Sequence, residues 1–213
     1  MFALVLDTAT PAVSAGIAEV TDATVAMVAE DQVVDGRRHG EALAVLIDGC
    51  LTKAGLTVGD LDAVVAGVGP GPFTGLRVGL VTAAAIADAR DIPAYGVCSL
   101  DAIATDDDSL LVATDARRRE VYWATYENGR RTNGPNVDKP VDINTTATTA
   151  AGAGAKLYDL GLPTTGPDYP VLKNLADRAA DRIRDRAESE PLTPLYLRRP
   201  DTAEPGARKK VTR

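Results

Sequence analysis

The chain has 213 residues, which is enough for one large domain or for two domains of about 100 residues each. Hydrophobic residues make up 45% of the chain and charged residues 25%, as in an ordinary globular protein with a sizeable core. Only 4% of the residues are aromatic, so that core must be built mainly from alanine, valine, leucine and isoleucine. The net charge of −7 and the pI near 4.8 argue against a primary nucleic-acid binder, because such proteins usually neutralise phosphates with a basic face.

Basic residues form only short runs in this sequence. The runs are Arg37-Arg38, Arg117-Arg118-Arg119, Arg198-Arg199 and Arg208-Lys209-Lys210. Charge runs are usually solvated surface, and we interpret each of these in that way. We therefore expect the chain by itself to be a poor RNA binder.

The cysteines and the apolar segments indicate a cytoplasmic protein. Cys50 and Cys98 lie far apart in apolar surroundings, without a CxxC pair or metal-ligand spacing, so we expect buried, reduced thiols. The N-terminus lacks the basic flank and long apolar stretch of a signal peptide. No apolar run approaches the roughly 18 residues that a membrane span requires, so no membrane contact is expected.

The first hundred residues predict a mixed sheet covered by helices. In chain order, strands are predicted at 2–6, 13–18 and 24–29, a helix at 37–54, a strand at 61–68, a helix at 76–89, and a strand at 93–97. Gly55 is placed to end the first helix, and Ser99 is a candidate N-cap for a short helix that reaches residue 104. Short polar connections between the first three strands favour antiparallel hairpins.

The second half begins a similar series after a break near residues 100–108. Strands are predicted at 110–113 and 120–126, and an amphipathic helix at 172–187. Residues 129–170 are rich in Thr, Gly, Pro and Asn and predict no definite element, and the composition from Pro200 onward suggests a mobile tail. The sequence thus predicts an α/β protein built from a duplicated unit with mixed sheets.

A glycine- and proline-rich loop at 67–75 links a buried strand to a helix and is the first candidate for a phosphate site. The loop contains no GxxxxGK[ST] motif, and its glycine spacing misses GxGxxG. It therefore has two interpretations, a tight structural turn or a present or vestigial anion contact. Asp7, which closes the first strand near Thr8 and Thr10, could likewise hold a metal-bound phosphate or simply form a turn.

His39 is the only histidine, so any histidine-dependent catalysis would have to use it. There is no GxSxG motif, and Leu43 stands four residues later, where a second helical metal ligand would lie. An exposed histidine at a helix start is the favoured interpretation, and we expect neither a metal site nor a catalytic set.

The two helices of the first half are apolar around more of their circumference than one sheet can cover. Apolar residues of the first helix span roughly 180°, whereas packing on a sheet needs about 100°. The second helix is apolar almost all round. A second protein chain or another part of the same chain could provide the cover. The residues that we predict at a partner interface are Leu43, Leu46, Ile47, Cys50, Leu76, Leu80, Ala83 and Ala87.

Several stretches in fixed order resemble the TsaB (YeaZ) family, and together they span roughly residues 2–199. They are LVLDTAT at 4–10, HGE at 39–41, GPGPFTGLRVG at 69–79, SL at 99–100, DAR with EVY at 115–122, and PLYLR at 194–198. The GPGxFTGxRxG stretch is quite specific. Pro72 and Gly40 depart from the family pattern, which usually has Ser at both positions, and both changes weaken any polar contact there.

The resemblance implies an actin-like (ASKHA, ribonuclease H-like) fold with an N-terminal lobe at 1–104, a C-terminal lobe at 105–199 and a tail at 200–213. It implies a non-catalytic subunit that helps to make threonylcarbamoyladenosine in tRNA. Its partners would be the catalytic TsaD protein and the TsaE ATPase, with tRNA met only through the complex and a homodimer possible alone. Neither cofactor nor metal is expected, since the metal-binding histidine pair belongs to TsaD. The phosphate-type loops would be vestigial, with residues Asp7, Thr8, Thr10, Gly69, Gly71, Thr74 and Gly75.

Two other functions compete with this one. An autonomous actin-like ATPase or kinase could use Asp7 and the glycine loop, although the second half lacks a convincing glycine-rich adenosine loop. A glycoprotease-like metallopeptidase would need metal ligands beyond one histidine.

Overall fold

A computed structural model describes residues 1–35 and 39–198, and the side chain of His39 lies outside the described part. The described chain forms two sheets, one of five strands and one of four. The sheets are flanked by helices, so the α/β class is confirmed. No helix among the described residues is long and apolar enough to cross a membrane.

The first sheet is mixed and has the strand order β3-β2-β1-β4-β5. Its strands are β1 (Phe2–Asp7), β2 (Ala12–Val20), β3 (Val25–Val34), β4 (Ala63–Gly67) and β5 (Ala94–Val97). Strands β1, β2 and β3 are antiparallel neighbours, as the short connections predict. Strand β4 runs parallel to β1 and β5 runs parallel to β4. The carboxyl ends of β1, β4 and β5 therefore meet at one edge of the sheet.

Helices cover both faces of the first sheet. On one face lie α1 (His39–Ala54) and α2 (Phe73–Arg90), which pack against Leu4 and Leu6 of β1. On the other face lies α4 (Leu172–Arg184), which packs against Ala3 and Val5. Because successive side chains of a strand point to opposite faces, a strand buried on both sides is apolar throughout. That requirement explains the continuous apolar run at the start of the chain.

The second sheet has the order β8-β7-β6-β9. Its strands are β6 (Leu110–Asp115), β7 (Val121–Glu127), β8 (Arg130–Asp138) and β9 (Thr149–Ala151), and the short helix α3 (Ala153–Leu157) follows. Two antiparallel hairpins followed by a parallel strand repeat the arrangement of β1 to β4. This repetition is the duplicated unit of the actin-like fold, as expected.

Several details differ from the sequence prediction. Ser99 does not cap a helix, because the short 3-10 helix Ser99–Ala102 has Cys98 at its N-cap position. Helix α4 ends at Arg184, three residues before the predicted end. The division into lobes at residue 104 stays a prediction, and α4 packs on the first sheet although it follows the second in sequence. The predicted tail at 200–213 lies outside the described residues.

Candidate functional site

Asp7 ends β1 at the edge where the parallel strands finish, and its side chain is fully buried. Its Oδ1 accepts a 2.9 Å hydrogen bond from the backbone N–H of Ala9. Its Oδ2 accepts a 2.5 Å hydrogen bond from the hydroxyl of Ser99. A buried carboxylate is costly unless such bonds are made, and here they come from the chain itself.

Thr8 fastens the start of α2 to the end of β1. Its hydroxyl donates to the carbonyl oxygen of Gly75 at 2.8 Å and accepts from the N–H of Gly79 at 3.1 Å. A Cβ on Gly79 would lie 2.4 Å from the Thr8 Oγ1, and one on Gly71 would lie 2.1 Å from the carbonyl oxygen of Ala9. Glycine is therefore required at both positions by close approach of the backbone.

Ser99 ties the loop at 67–75 to the sheet from the other side. The backbone N–H of Gly69 donates to the Ser99 Oγ at 3.2 Å, and the Ser99 N–H donates to the Gly69 carbonyl at 2.7 Å. A Cβ on Gly67 would lie 1.7 Å from the Asp7 Oδ2, so the carboxylate sits directly against the strand. The polar groups of Asp7, Thr8 and Ser99 thus fix the loop at 67–75 against the ends of β1 and β5.

The two remaining threonines of the candidate loops lie in different surroundings. Thr10 is buried, and its Oγ1 accepts a 3.2 Å hydrogen bond from the N–H of Ala12. Thr74 is exposed in the first turn of α2. The structure therefore brings Asp7 and Thr8 together with the glycine loop, while Thr74 points to solvent.

The residues predicted at a partner interface are buried in the core of the chain itself. Leu43, Leu46, Ile47, Cys50, Leu76, Leu80, Ala83 and Ala87 are each at most 7% exposed and belong to one cluster beneath α1 and α2. Their placement on a partner surface stays a prediction, and their burial against the first sheet within the chain itself counts against it. The apolar pattern identified the two helices but could not show which side faces the sheet.

The outer faces of α1 and α2 carry a different set of apolar residues. Val45 is 71% exposed and Val81 is 66% exposed, and Ala44, Ala84 and Ala85 are exposed beside them. The two helices contact each other, and both carry exposed apolar residues on the side away from the sheet, although Val81, Ala84 and Ala85 also border a cleft with Pro93 and Leu192. Because alanine and valine side chains are short, another helix can approach this face closely.

The described residues hold no group of three or more His, Cys, Asp or Glu placed to bind a metal ion. Both cysteines are buried and unpaired. Burial raises the pKa of the Cys98 thiol to about 11 and also raises the pKa of Cys50. Thiols of this kind are poor nucleophiles and poor ligands, because the thiolate is the reactive form.

The chain resembles known proteins in both sequence and fold. Residues 30–177 match the family model described as TsaD: tRNA N6-adenosine threonylcarbamoyltransferase. An uncharacterised protein of Mycobacterium tuberculosis is 50% identical over 201 residues, which cover 93% of this chain and 92% of that protein. The tRNA threonylcarbamoyladenosine biosynthesis protein TsaB of Escherichia coli is 36% identical over 135 residues, or 59% of this chain and 56% of that protein. YeaZ from Pseudomonas aeruginosa superposes with a TM-score of 0.75 at 25% identity, covering 92% of this chain and 99% of that structure.

Proposed function

The chain belongs to the family that the TsaD model describes, and within that family to the TsaB (YeaZ) proteins. On that premise we propose that it is a non-catalytic subunit in tRNA threonylcarbamoyladenosine biosynthesis. In this proposal the chain binds a TsaD-type catalytic subunit in the cytoplasm, and a TsaE-type ATPase joins the pair. Without its catalytic partner, the chain pairs with a second copy through the same surface. It requires no cofactor or metal of its own.

The closed loop at 67–75 is the observation that carries the non-catalytic role. An autonomous ATPase or kinase would need Asp7 and the loop N–H groups to hold a metal and a phosphate. Here the Asp7 carboxylate accepts from Ser99 and Ala9, and the Gly69 N–H donates to Ser99. These groups stabilise the edge of the sheet, which supports a structural use of a phosphate-type motif.

The partner surface of this proposal is the outer face of α1 and α2. It is centred on Val45 and Val81, and the neighbouring alanines allow helices to approach closely. The TsaD family model matches residues 30–177, a range that includes both helices, so a TsaD-type partner would present a corresponding pair. Two similar helix pairs can pack with approximate two-fold symmetry, in a heterodimer or in a homodimer.

Reconstitution from purified proteins tests the function. The chain, its TsaD- and TsaE-type partners, unmodified tRNA and the threonylcarbamoyl donor are combined, and threonylcarbamoyladenosine is measured by mass spectrometry of the digested tRNA. We expect product only when the chain and the catalytic subunit are both present, and no ATP turnover or product from the chain alone. ATP hydrolysis by the rigorously purified chain, abolished by Asp7→Ala, would support the ATPase alternative. Chelator-sensitive cleavage of peptides would support the metallopeptidase.

A further inference from the structure

The turn between β6 and β7 consists of arginines in an unfavourable backbone conformation. The N–H of Glu120 donates to the carbonyl of Arg117 at 2.9 Å, which closes a four-residue turn. Its central residues, Arg118 and Arg119, have φ angles of 53° and 62°. Both central residues of a type I′ turn need positive φ, so Asn, Asp and Gly are normally found there. Arg117 also has positive φ, at 64°.

Such strain points to a use for the side chains themselves. Non-glycine residues in the left-handed region persist where the surroundings impose them, and they concentrate at functional sites. Arginine offers no local hydrogen bond that would favour this conformation, unlike Asn or Asp. All three arginines are exposed, although the chain as a whole carries a net charge of −7. The turn therefore holds a local positive charge at a conformational cost.

Exposed aromatic rings lie at the start of α2. Phe73 and Tyr196 are stacked with ring centroids 5.1 Å apart, and they are 52% and 42% exposed. The guanidinium of Arg77 lies 4.3 Å from the centroid of Phe73, and its Nε donates to the Tyr196 hydroxyl at 3.1 Å. Phe73 is one of only two phenylalanines in the chain, and about half of its surface is exposed.

The segment at 192–198 brings these two features to one edge of the molecule. The N–H of Leu195 donates to the carbonyl of Val68 at 2.9 Å, which holds the segment beside the glycine loop. Two residues after Tyr196, the Arg198 guanidinium pairs with the Glu120 carboxylate and donates to the Arg117 carbonyl. The backbone from Tyr196 to Arg198 spans at most about 7 Å, and the extended side chain of Arg198 bridges the remaining distance to the turn, so the aromatic pair and the arginine turn lie along the same edge.

We propose that this edge binds a single-stranded segment of RNA, with arginines on the phosphates and rings stacked on bases. We call it the arginine–aromatic surface, and it consists of Phe73, Arg77, Arg117, Arg118, Arg119 and Tyr196. A positive track interleaved with aromatic rings is the usual design for binding single strands. The choice of RNA over an acidic protein rests on the function proposed above, whose substrate is a tRNA. This differs from the expectation that the chain meets tRNA only through the complex.

The acidic groups near the turn are already engaged within the chain. The Asp115 Oδ1 accepts hydrogen bonds from the Arg117 N–H at 2.9 Å and from the Tyr158 hydroxyl at 3.0 Å. Glu120 is paired with Arg198. The Asp115 Oδ2 also lies 3.8 Å from a guanidinium nitrogen of Arg117, which offsets part of the charge of that arginine, so the proposed attraction for phosphate rests mainly on Arg118 and Arg119.

The test measures binding of fluorescently labelled, unmodified tRNA transcript to the full-length chain in its complex with the catalytic subunit, over a range of salt concentrations. The double variant Arg118→Asn/Arg119→Gly replaces the strained pair with the residues that a type I′ turn prefers. We expect its affinity for tRNA to fall at least tenfold and the slope of log affinity against log salt to decrease by about 2. Its thermal transition should be no lower than that of the wild type.

Phe73→Ala should weaken binding about tenfold through lost stacking, with little change in the salt slope. The matched control is Lys53→Gln/Arg130→Gln, which removes two exposed positive charges far from this edge and should leave tRNA affinity within about twofold. Wild-type affinity and slope in the arginine variant would overturn the proposal. So would a loss of affinity for the catalytic subunit instead of tRNA, because the surface would then contact protein. Reconstituted modification by the wild-type proteins reports separately on the proposed function.

Discussion

The hydroxyl of Ser99 donates a 2.5 Å hydrogen bond to the Oδ2 of Asp7, although the two residues are 92 positions apart. Both side chains are buried, Asp7 at 0% and Ser99 at 1% exposure. The bond joins the end of β1 to the segment after β5, and the N–H of Gly69 donates to the same Ser99 oxygen. In the candidate phosphate site, these hydrogen bonds therefore hold together the end of β1, the segment after β5 and the loop at 67–75 at the edge of the first sheet.

Ser99→Ala should destabilise the chain. The substitution removes a charge-assisted donor and leaves Asp7 and the Gly69 N–H each short of a partner, at a cost of roughly 1.5–3 kcal/mol. For a chain of this size the thermal transition should fall by about 3–10 °C, as followed by circular dichroism. Thr52→Ala is the control, because Thr52 is exposed and should change stability by no more than about 0.5 kcal/mol. An unchanged transition in Ser99→Ala would contradict this account.

Two helix glycines should respond oppositely to alanine. In α2, a Cβ on Gly79 would lie 2.4 Å from the Thr8 Oγ1 and 3.3 Å from the Leu6 Cδ1, so Gly79→Ala should force α2 away from β1. In α1, nothing lies within 4 Å of the corresponding atom on Gly49. Gly49→Ala should therefore stabilise the chain by about 0.5–1 kcal/mol, and Gly79→Ala should destabilise it by about 1–3 kcal/mol. Urea denaturation of both variants measures the difference, and equal effects would show that the contact at Thr8 is unimportant.

The cysteines should be inert in the folded chain. Burial raises the pKa of Cys98 to about 11, so roughly one thiol in a thousand is ionised at pH 8. Cys50 is fully buried, and its thiol donates to the carbonyl of Ala15 at 3.3 Å. Ellman's reagent at pH 8 should label neither cysteine in the native protein and both in denaturant. Rapid labelling of one native thiol would contradict this expectation and reveal local opening around that cysteine.

The sequence predicted elements well where both faces of a strand are buried, and poorly at the sheet edges. Strand β1 is buried almost throughout, so its apolar run is unbroken. Strand β8 has the sequence RRTNGPNVD, with exposed or half-buried positions and Gly134-Pro135 in its middle. Such a segment has low strand propensity and pairs only with β7 at the edge of its sheet. Its hydrogen bonds to β7, rather than its composition, determine its conformation.

The candidate site could not be predicted from the sequence, because its residues are brought together by the strand order of the first sheet. The sequence indicated Asp7 as a turn or metal residue and Ser99 as a helix cap, without a reason to connect them. They meet because β1, β4 and β5 are parallel neighbours whose carboxyl ends share one edge. The sequence likewise showed Arg117, Arg118 and Arg119 only as a basic run and Phe73 only within a separate motif, and it is the segment at 192–198 that places them along one edge.

Charge placed on the outer face of α1 and α2 should separate partner binding from folding. Val45 and Val81 are more than 60% exposed, at 71% and 66%, so glutamate at either position should change stability by no more than about 0.5 kcal/mol. In the proposed complex the same carboxylate would be buried without a partner, at a cost of several kcal/mol. Since each 1.4 kcal/mol is a factor of ten, affinity for the TsaD-type subunit should fall at least 10²-fold. Isothermal titration calorimetry measures the affinity, and thermal denaturation measures the fold.

Leu46→Glu and Leu80→Glu are the matched core variants on the same two helices. Leu46 is 7% exposed and Leu80 is 5% exposed in the cluster beneath the helices, so each carboxylate would be buried in the isolated chain. We expect a lowered thermal transition and poor soluble yield, whether or not a partner is present. Val45→Glu and Val81→Glu should also prevent formation of the homodimer, because the outer face of α1 and α2 forms the interface in both assemblies. For the same reason, the catalytic subunit should displace the second copy of the wild-type chain in a titration. If Val45→Glu and Val81→Glu fold normally and bind the catalytic subunit as the wild type does, the partner surface lies elsewhere on the molecule.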